Sequence, residues 1–459
     1  MSSTRDVDIT KIIDDAPLSS LQKRVLALCL GLAILDGIDA QLIGFVIPAM
    51  SADWGLSPAS FGFTLALSTG AMVVGSLLFG PLADRYGRRR IIIVCTVIFA
   101  VFTLATALVT SMTALIVLRV IAGLGLGGVT PNLIAMVSEY SPARIRATMV
   151  TITVAGMSLG GFLGGFAAAF LIPEFGWQAL FVVGGVLPLI LTAVVMRWLP
   201  ESVKFLVAGG RAEEAARIVD KIAARERVTA TSRFVQDTSA ATKSPVGALF
   251  QGGRAVDTVL LWGVFVINFL VIYFLLSWMP TLFGEGGRSA STALLAASLF
   301  NLGGMTGALT FGRITDRIGN GFVVVMAGYT LGAVCTALVA MLLGSGWVLL
   351  VAVFFVGFGM SGSSAGIIAI AAAVYPVAVR ATGVGWAMGI GRIGSIAGPA
   401  VGALLIAAGL GAQSIFLLTI VPTLLAVVTL GIMSLRARRV QGTRGFRTTG
   451  TPHTMAAAE

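Results

Sequence analysis

Residues 80–90 read GPLADRYGRRR, and residues 312–321 read GRITDRIGNG. Gly80, Asp84, Arg85 and Gly87 in the first stretch match Gly312, Asp316, Arg317 and Gly319 in the second at equal offsets. Self-similarity at a fixed distance marks a duplicated architecture, so the chain reads as two related halves. The second copy lacks the basic run after its glycine, which argues against an equal role for Asp316 and Asp84.

Each stretch is a short polar gap between long apolar runs. Six such runs lie near 25–48, 60–80, 91–110, 114–137, 148–171 and 179–199. Six more lie near 258–282, 290–312, 321–343, 347–373, 382–408 and 413–435. A membrane span needs about 20 apolar residues, and lipid offers the backbone no hydrogen-bond partners, so each run is expected to be a helix. The fold class expected is an all-α membrane protein of twelve transmembrane helices in two six-helix bundles. Its parts are an N-terminal tail (1–24), a bundle (25–200), a polar linker (201–256), a second bundle (257–436) and a C-terminal tail (437–459).

Composition agrees. Of the 459 residues 57% are hydrophobic and 11% charged, whereas a soluble domain carries about 25% charged residues. The net charge of +11 does not mark nucleic-acid binding, because the basic residues crowd the gaps between runs rather than forming a stripe with aromatics. Lys23, Arg24, Arg85, Arg88, Arg89, Arg90, Arg144, Arg146, Arg313, Arg317, Arg380, Arg436, Arg438 and Arg439 fall on one side, against Arg288 on the other. By the positive-inside rule the crowded side is cytoplasmic, and an even number of spans puts both termini there. The acidic N-terminal stretch lacks the apolar core of a cleavable signal, so the first run is expected to act as signal and anchor.

Cys29, Cys95 and Cys335 lie inside apolar runs and read as buried, reduced residues. The one histidine, His453, is in the polar tail, which leaves a metal site without support. No cofactor is expected. In the linker, Glu213, Arg217 and Lys221 recur at four-residue spacing and predict a short solvated helix. The tail beyond Val440 is polar and expected to be disordered.

Residues 80–90 resemble the loop motif of the major facilitator superfamily, and "LRVIAGLGLGG" around Arg119 resembles its fourth-helix motif. Within that superfamily, "LDGIDAQLIGFVIPAM" from Leu35 resembles the aromatic acid:proton symporter family. "SEYSPARIR" from Ser138, "WLPES" from Trp198, "SWMPTL" from Ser277 and "YPVAVRATGVGWAMGIGRIG" from Tyr375 are further matches. The resemblance implies the major facilitator fold and import of benzoates, hydroxybenzoates, gentisate or related acids with protons. The expected partners are a small aromatic carboxylate, protons and the lipid bilayer of the cell inner membrane, with no nucleic acid; a monomer is expected.

Asp36 and Asp39 share one face of the first helix. An aspartate at the bilayer centre costs about 2.5–3.5 kcal/mol, so the pair is a candidate for proton coupling, the alternative being a brace for the fold. Arg119 and Arg392 are the basic residues well inside runs. Arg392, flanked by glycines, is the preferred ligand for a substrate carboxylate; Arg119 either contacts substrate or pairs with Asp36 or Asp39. Tyr273, Trp278 and Trp386 can stack on a ring, although packing and anchoring explain them more simply. Asn268 and Asn301 are ring-hydroxyl partners or interhelical hydrogen bonders. Gly156, Gly160 and Gly164 predict close packing of the fifth helix.

Asp84, Arg85, Arg88 and Arg89 predict a charge latch that joins the bundles in one access state. Glu139 is expected to join it, with Arg144, Arg146 or Arg380 as partner, and Asp316 is the matching position of the second half. Other readings are a symporter of aliphatic dicarboxylates, a drug:proton antiporter, and a sensor that binds aromatic acids without net transport. The antiporter is disfavoured because the fifth run lacks the glycine-proline signature that a resemblance to antiporters would require. An enzyme is disfavoured too, since no triad, metal set or phosphate loop is present.

Overall fold

The computed structural model describes residues 6–7, 12–14, 16–222, 233–234, 246–251 and 253–441. Among them, twelve helical spans are long and apolar enough to cross a membrane. The first six are α1 (Ser20–Trp54), α2 (Gly62–Tyr86), α3 (Arg88–Thr106), α4 (Met112–Tyr140), α5 (Ala143–Phe175) and α6 (Trp177–Trp198). Two short linker helices follow, α7 (Val203–Ala208) and α8 (Ala212–Ile222). The second six spans are α9 (Ala255–Glu285), α10 (Ala290–Ile318), α11 (Gly321–Met341), the pair α12 (Trp347–Met360) and α13 (Ser363–Val374), α14 (Val377–Ala407) and α15 (Ala412–Gln441). A two-residue parallel ladder pairs Asp6 with Arg233 and Val7 with Phe234.

Among the described residues, polar side chains cap four of the spans at their starts: Ser19 ahead of α1, Ser111 ahead of α4, Ser289 ahead of α10 and Asn320 ahead of α11. Ahead of α1, the Ser19 hydroxyl accepts from the Gln22 backbone, and the Gln22 side chain accepts from the Ser19 backbone N–H. This reciprocal capping satisfies two otherwise unpaired donors. The tenth run, continuous by hydropathy, is broken at Ser361 and Gly362 into α12 and α13. The linker helix α8 covers the four-residue charge pattern, whereas α7 carries no such signal. The C-terminal tail, expected from 437 and disordered beyond Val440, starts later than that, because α15 continues through Gln441; residues 442–459 lie outside the described residues.

Packing repeats between the halves. α1 packs on α5, α2 on α4 and α3 on α6; six spans later α9 packs on α14, α10 on α12 and α11 on α15. The halves meet where α1 faces α9, α2 faces α14 and α5 faces α10. The predicted glycine face of α5 makes the α1 contact: a Cβ on Gly160 would stand 2.0 Å from the carbonyl oxygen of Ile34. Small residues let backbones approach where apolar burial alone gives no drive.

Candidate functional site between the two halves

A cavity of about 580 Å³ lies between the halves, lined by residues of α1, α2, α4 and α5 on one side and α9, α10 and α13 on the other. Asp39, Gln41, Arg119, Phe269, Tyr273 and Asn301 are among its walls. The exposed lining residues Thr151, Val154, Leu309, Ala365 and Ile368 lie toward the end of the bundle where both chain termini emerge. At the opposite end Ile43, Gly44 and Leu65 are buried. There a Cβ on Gly44 would stand 2.9 Å from the Leu276 carbonyl oxygen, so α1 and α9 close that end at backbone contact. The cavity thus opens toward the termini.

Polar residues inside α1 can be held only by partners on neighbouring helices, since lipid supplies none. Asp39, Arg119 and Thr103 form a buried triad. The Arg119 guanidinium reaches Asp39 at 3.5 Å and donates to the Thr103 hydroxyl at 2.6 Å, while that hydroxyl donates to Asp39 at 2.5 Å. Arg119 also lies 5.4 Å over the Phe181 ring. Of the alternatives open to Arg119, pairing with Asp39 is the contact made.

Asp36 is differently placed. One oxygen accepts from the Thr130 hydroxyl; the other, Oδ1, is buried with no hydrogen-bond partner. Arg392 is the other arginine well inside a span, on α14. It is half-buried, and its guanidinium sits 5.8 Å over the ring of Phe269, a wall of the cavity. Arg392 itself is not among the lining residues.

Among the uncharged candidates, Tyr273 and Asn301 line the cavity. Asn268 does not: it accepts from the Tyr329 hydroxyl at 2.7 Å and donates to Ser364 at 3.2 Å, tying α9 to α11 and α13. Trp278 is fully buried and donates to the Pro399 carbonyl at 2.9 Å, a packing role. Trp386 is 43% exposed and stacks on Trp262, away from the cavity. Three residues without a signal beyond "polar within an apolar run" also matter here: Gln41, Thr103 and Thr130.

The charged cluster at the terminal end lies within the first half. Arg88 touches Glu139 at 2.6 Å and Asp84 at 3.7 Å. The first contact is ionic without hydrogen-bond alignment, since Glu139 Oε1 has no aligned donor. Glu139 also accepts from the Ser202 hydroxyl at 2.5 Å. Its expected partners are engaged elsewhere, which corrects that assignment. Arg144 donates to the Ala16 carbonyl and Arg146 pairs with Asp14, because the N-terminal tail packs beside the turn they occupy. Arg380 donates to Tyr375 in the other half. Arg85 lies over the Tyr86 ring. The backbone N–H of Arg89 donates to Glu201, a carboxylate seated at the start of α3, where helix N-termini favour negative charge. The Asp316 side chain lies outside the described set. Cys29, Cys95 and Cys335 are buried and free.

Comparison with known proteins agrees with this architecture. The family profile described as Major Facilitator Superfamily matches residues 29–294 and 261–453. The 4-hydroxybenzoate transporter PcaK of Pseudomonas putida is 38% identical over 92% of this chain and 95% of its own. The gallate transporter of the same organism is 37% identical over 94% and 96%, and a benzoate transport protein of Acinetobacter baylyi 31% over 94% and 93%. Among solved structures, the inward open conformation of the xylose transporter XylE from E. coli superposes with a TM-score of 0.70 at 18% identity, over 90% of this chain and 95% of that one. The chain therefore belongs to the Major Facilitator Superfamily, a family of transporters rather than enzymes, in the branch that holds carriers named for 4-hydroxybenzoate, gallate and benzoate.

Proposed function

We propose that this protein imports an aromatic carboxylate together with protons, by alternating access about the central cavity. The observation that carries the reading is a cavity between the halves whose walls include the aromatic rings of Phe269 and Tyr273 and the buried Asp39–Arg119 pair, with Arg392 over the Phe269 ring.

Arg119 faces the cavity, but Asp39 already neutralises it. Arg392 has no ion-pair partner among the described contacts, so it is the cation assigned to the substrate carboxylate, and it lies over the Phe269 ring that walls the cavity. Arginine offers a carboxylate two parallel donors. A carboxylate on Arg392 would neutralise that arginine, and a proton on Asp36 would neutralise that buried carboxylate, whose Oδ1 has no hydrogen-bond partner. Anion and proton would then be taken up together. The coupling matters energetically: a negative-inside potential opposes entry of an anion by about 2.3 kcal/mol per 100 mV, and one accompanying proton removes that penalty.

In this reading the protein would sit in the cell inner membrane, and the bias of basic residues supports an orientation with both termini and the open end of the cavity cytoplasmic. The Asp84, Arg88 and Glu139 cluster would act as the latch in the opposite access state, with Arg85, Arg89, Arg144, Arg380 and Asp316 around it. A dicarboxylate is the lesser reading. It would need two free cations, and of the two intramembrane arginines Arg119 is already paired with Asp39, which leaves Arg392.

The test is uptake of radiolabelled 4-hydroxybenzoate into vesicles holding the protein, with and without an imposed inward proton gradient. Gradient-driven accumulation abolished by an uncoupler supports the proposal. Uptake that ignores the gradient removes proton coupling. No uptake of 4-hydroxybenzoate, benzoate or gentisate removes the substrate class.

A further inference from the structure

Gln41 of α1 and Asn301 of α10 join the two halves through a reciprocal amide pair. The Gln41 nitrogen donates to the Asn301 oxygen at 3.1 Å, and the Asn301 nitrogen donates to the Gln41 oxygen at 2.9 Å. The Asn301 nitrogen also donates to the Ala297 carbonyl at 2.9 Å. A carbonyl can only accept, so this last bond fixes which end of the Asn301 amide is nitrogen and hence the sense of the pair.

A primary amide has two N–H donors. Both of those on Asn301 are used, one by Gln41 and one by Ala297. Gln41 uses one and keeps one. Asn301 is buried, whereas Gln41 is half-buried and, like Asn301, lines the cavity. The free donor of the pair therefore belongs to Gln41. A third helix holds it in place. A Cβ on Gly161 of α5 would stand 2.1 Å from the Gln41 nitrogen and 2.5 Å from the Asn301 oxygen, so the amides fill the room a side chain there would need.

We propose that Gln41 determines specificity by donating its remaining N–H to a ring hydroxyl of the substrate, with Asn301 as its positioning residue. The inference rests on the aromatic-acid reading above. A donor fixed in advance favours the hydroxylated acid, because the unsubstituted acid leaves that N–H without a partner while it displaces water from it. The apolar walls around the ring cannot make this distinction, since they meet both acids alike.

The experiment measures half-saturating concentrations for 4-hydroxybenzoate and benzoate in vesicles holding the full chain, and takes the ratio, benzoate over 4-hydroxybenzoate. A ratio within one preparation is independent of how much protein reaches the membrane. The wild type is expected to give a ratio well above one. Gln41→Met, which keeps length and loses the amide, is expected to lower it about tenfold, one hydrogen bond's worth. Gly161→Ala keeps both amides but displaces them, and is expected to lower the ratio in the same direction. A wild-type ratio near one overturns the inference, as does a ratio unchanged in both variants. If the wild type carries neither acid, the substrate reading fails and this inference falls with it, an outcome distinct from normal uptake of both acids with an unmoved ratio.

Discussion

Arg119 and Asp39 meet at 3.5 Å with both side chains buried, and the Thr103 hydroxyl bonds to each. The pair welds α1 to α4 beside the cavity and leaves Asp36, one turn away, without a cation in contact. The two carboxylates of the first helix are therefore not equivalent.

Removing one member of a buried ion pair strands the other, at a cost of about 3–5 kcal/mol. Asp39→Asn and Arg119→Gln are each expected to lower the thermal midpoint of the detergent-purified protein and to stop uptake. The double variant is expected to recover much of the stability and none of the uptake. Additive loss of stability would show that the two side chains act separately.

For Asp36 the expectation is different. Asp36→Asn keeps an acceptor for Thr130 and leaves no charge, so the fold is expected to persist. Accumulation against a gradient is expected to be lost, while exchange of labelled for unlabelled substrate continues. Full gradient-driven accumulation in this variant would remove Asp36 from proton coupling.

Arg392→Lys replaces a planar fork by a point charge. Half-saturation for the aromatic acid is expected to rise about tenfold or more, from the loss of one charge-assisted hydrogen bond. Equal affinity in wild type and variant would move the carboxylate site to Arg119.

The contact between α1 and α5 gives a purely structural test. At Gly160 an added Cβ would lie 2.0 Å from the Ile34 carbonyl oxygen, so Gly160→Val must part the helices. Overpacking of this kind costs about 1–3 kcal/mol or more, read as a lowered melting temperature. A neutral outcome would mean that the two helices are not held at this spacing.

In the linker, the hydrogen bond from Arg211 holds the exposed Glu214 carboxyl below its ordinary value. A depressed carboxyl contributes above its unfolded value and loses that contribution as pH falls through the folded one. An NMR titration is expected to find Glu214 protonating below the usual glutamate range, and Arg211→Gln to raise it. An unmoved midpoint in the variant would mean that the pair does not form in solution.

Much of the fold was legible because a membrane limits the choices. Twelve apolar runs had to be helices, and the repeat of Gly80–Gly87 at Gly312–Gly319 paired the halves before any packing was seen. Gly156, Gly160 and Gly164 announced a close helix contact. The break at Ser361 and Gly362 was not legible, because serine and glycine at mid-span leave the hydropathy of the run intact. Among the site residues, Asp36, Asp39, Arg119 and Arg392 stood out, since each is costly in lipid without a partner. Gln41, Thr103 and Thr130 did not, because a single amide or hydroxyl is commonly satisfied within its own helix.

The number of spans, the two-fold repeat, the family resemblance and the short list of intramembrane charges can all be read along the chain. Those follow from composition and local order, which lipid reads one helix at a time. The packing of the helices was needed to show that Arg119 takes Asp39 rather than Asp36, that Glu139 takes Arg88 rather than Arg144, Arg146 or Arg380, and that Gln41 meets Asn301. Each of those choices lies between residues far apart in the chain. It is settled by which helix faces are brought together and by which glycines let them come within hydrogen-bonding distance.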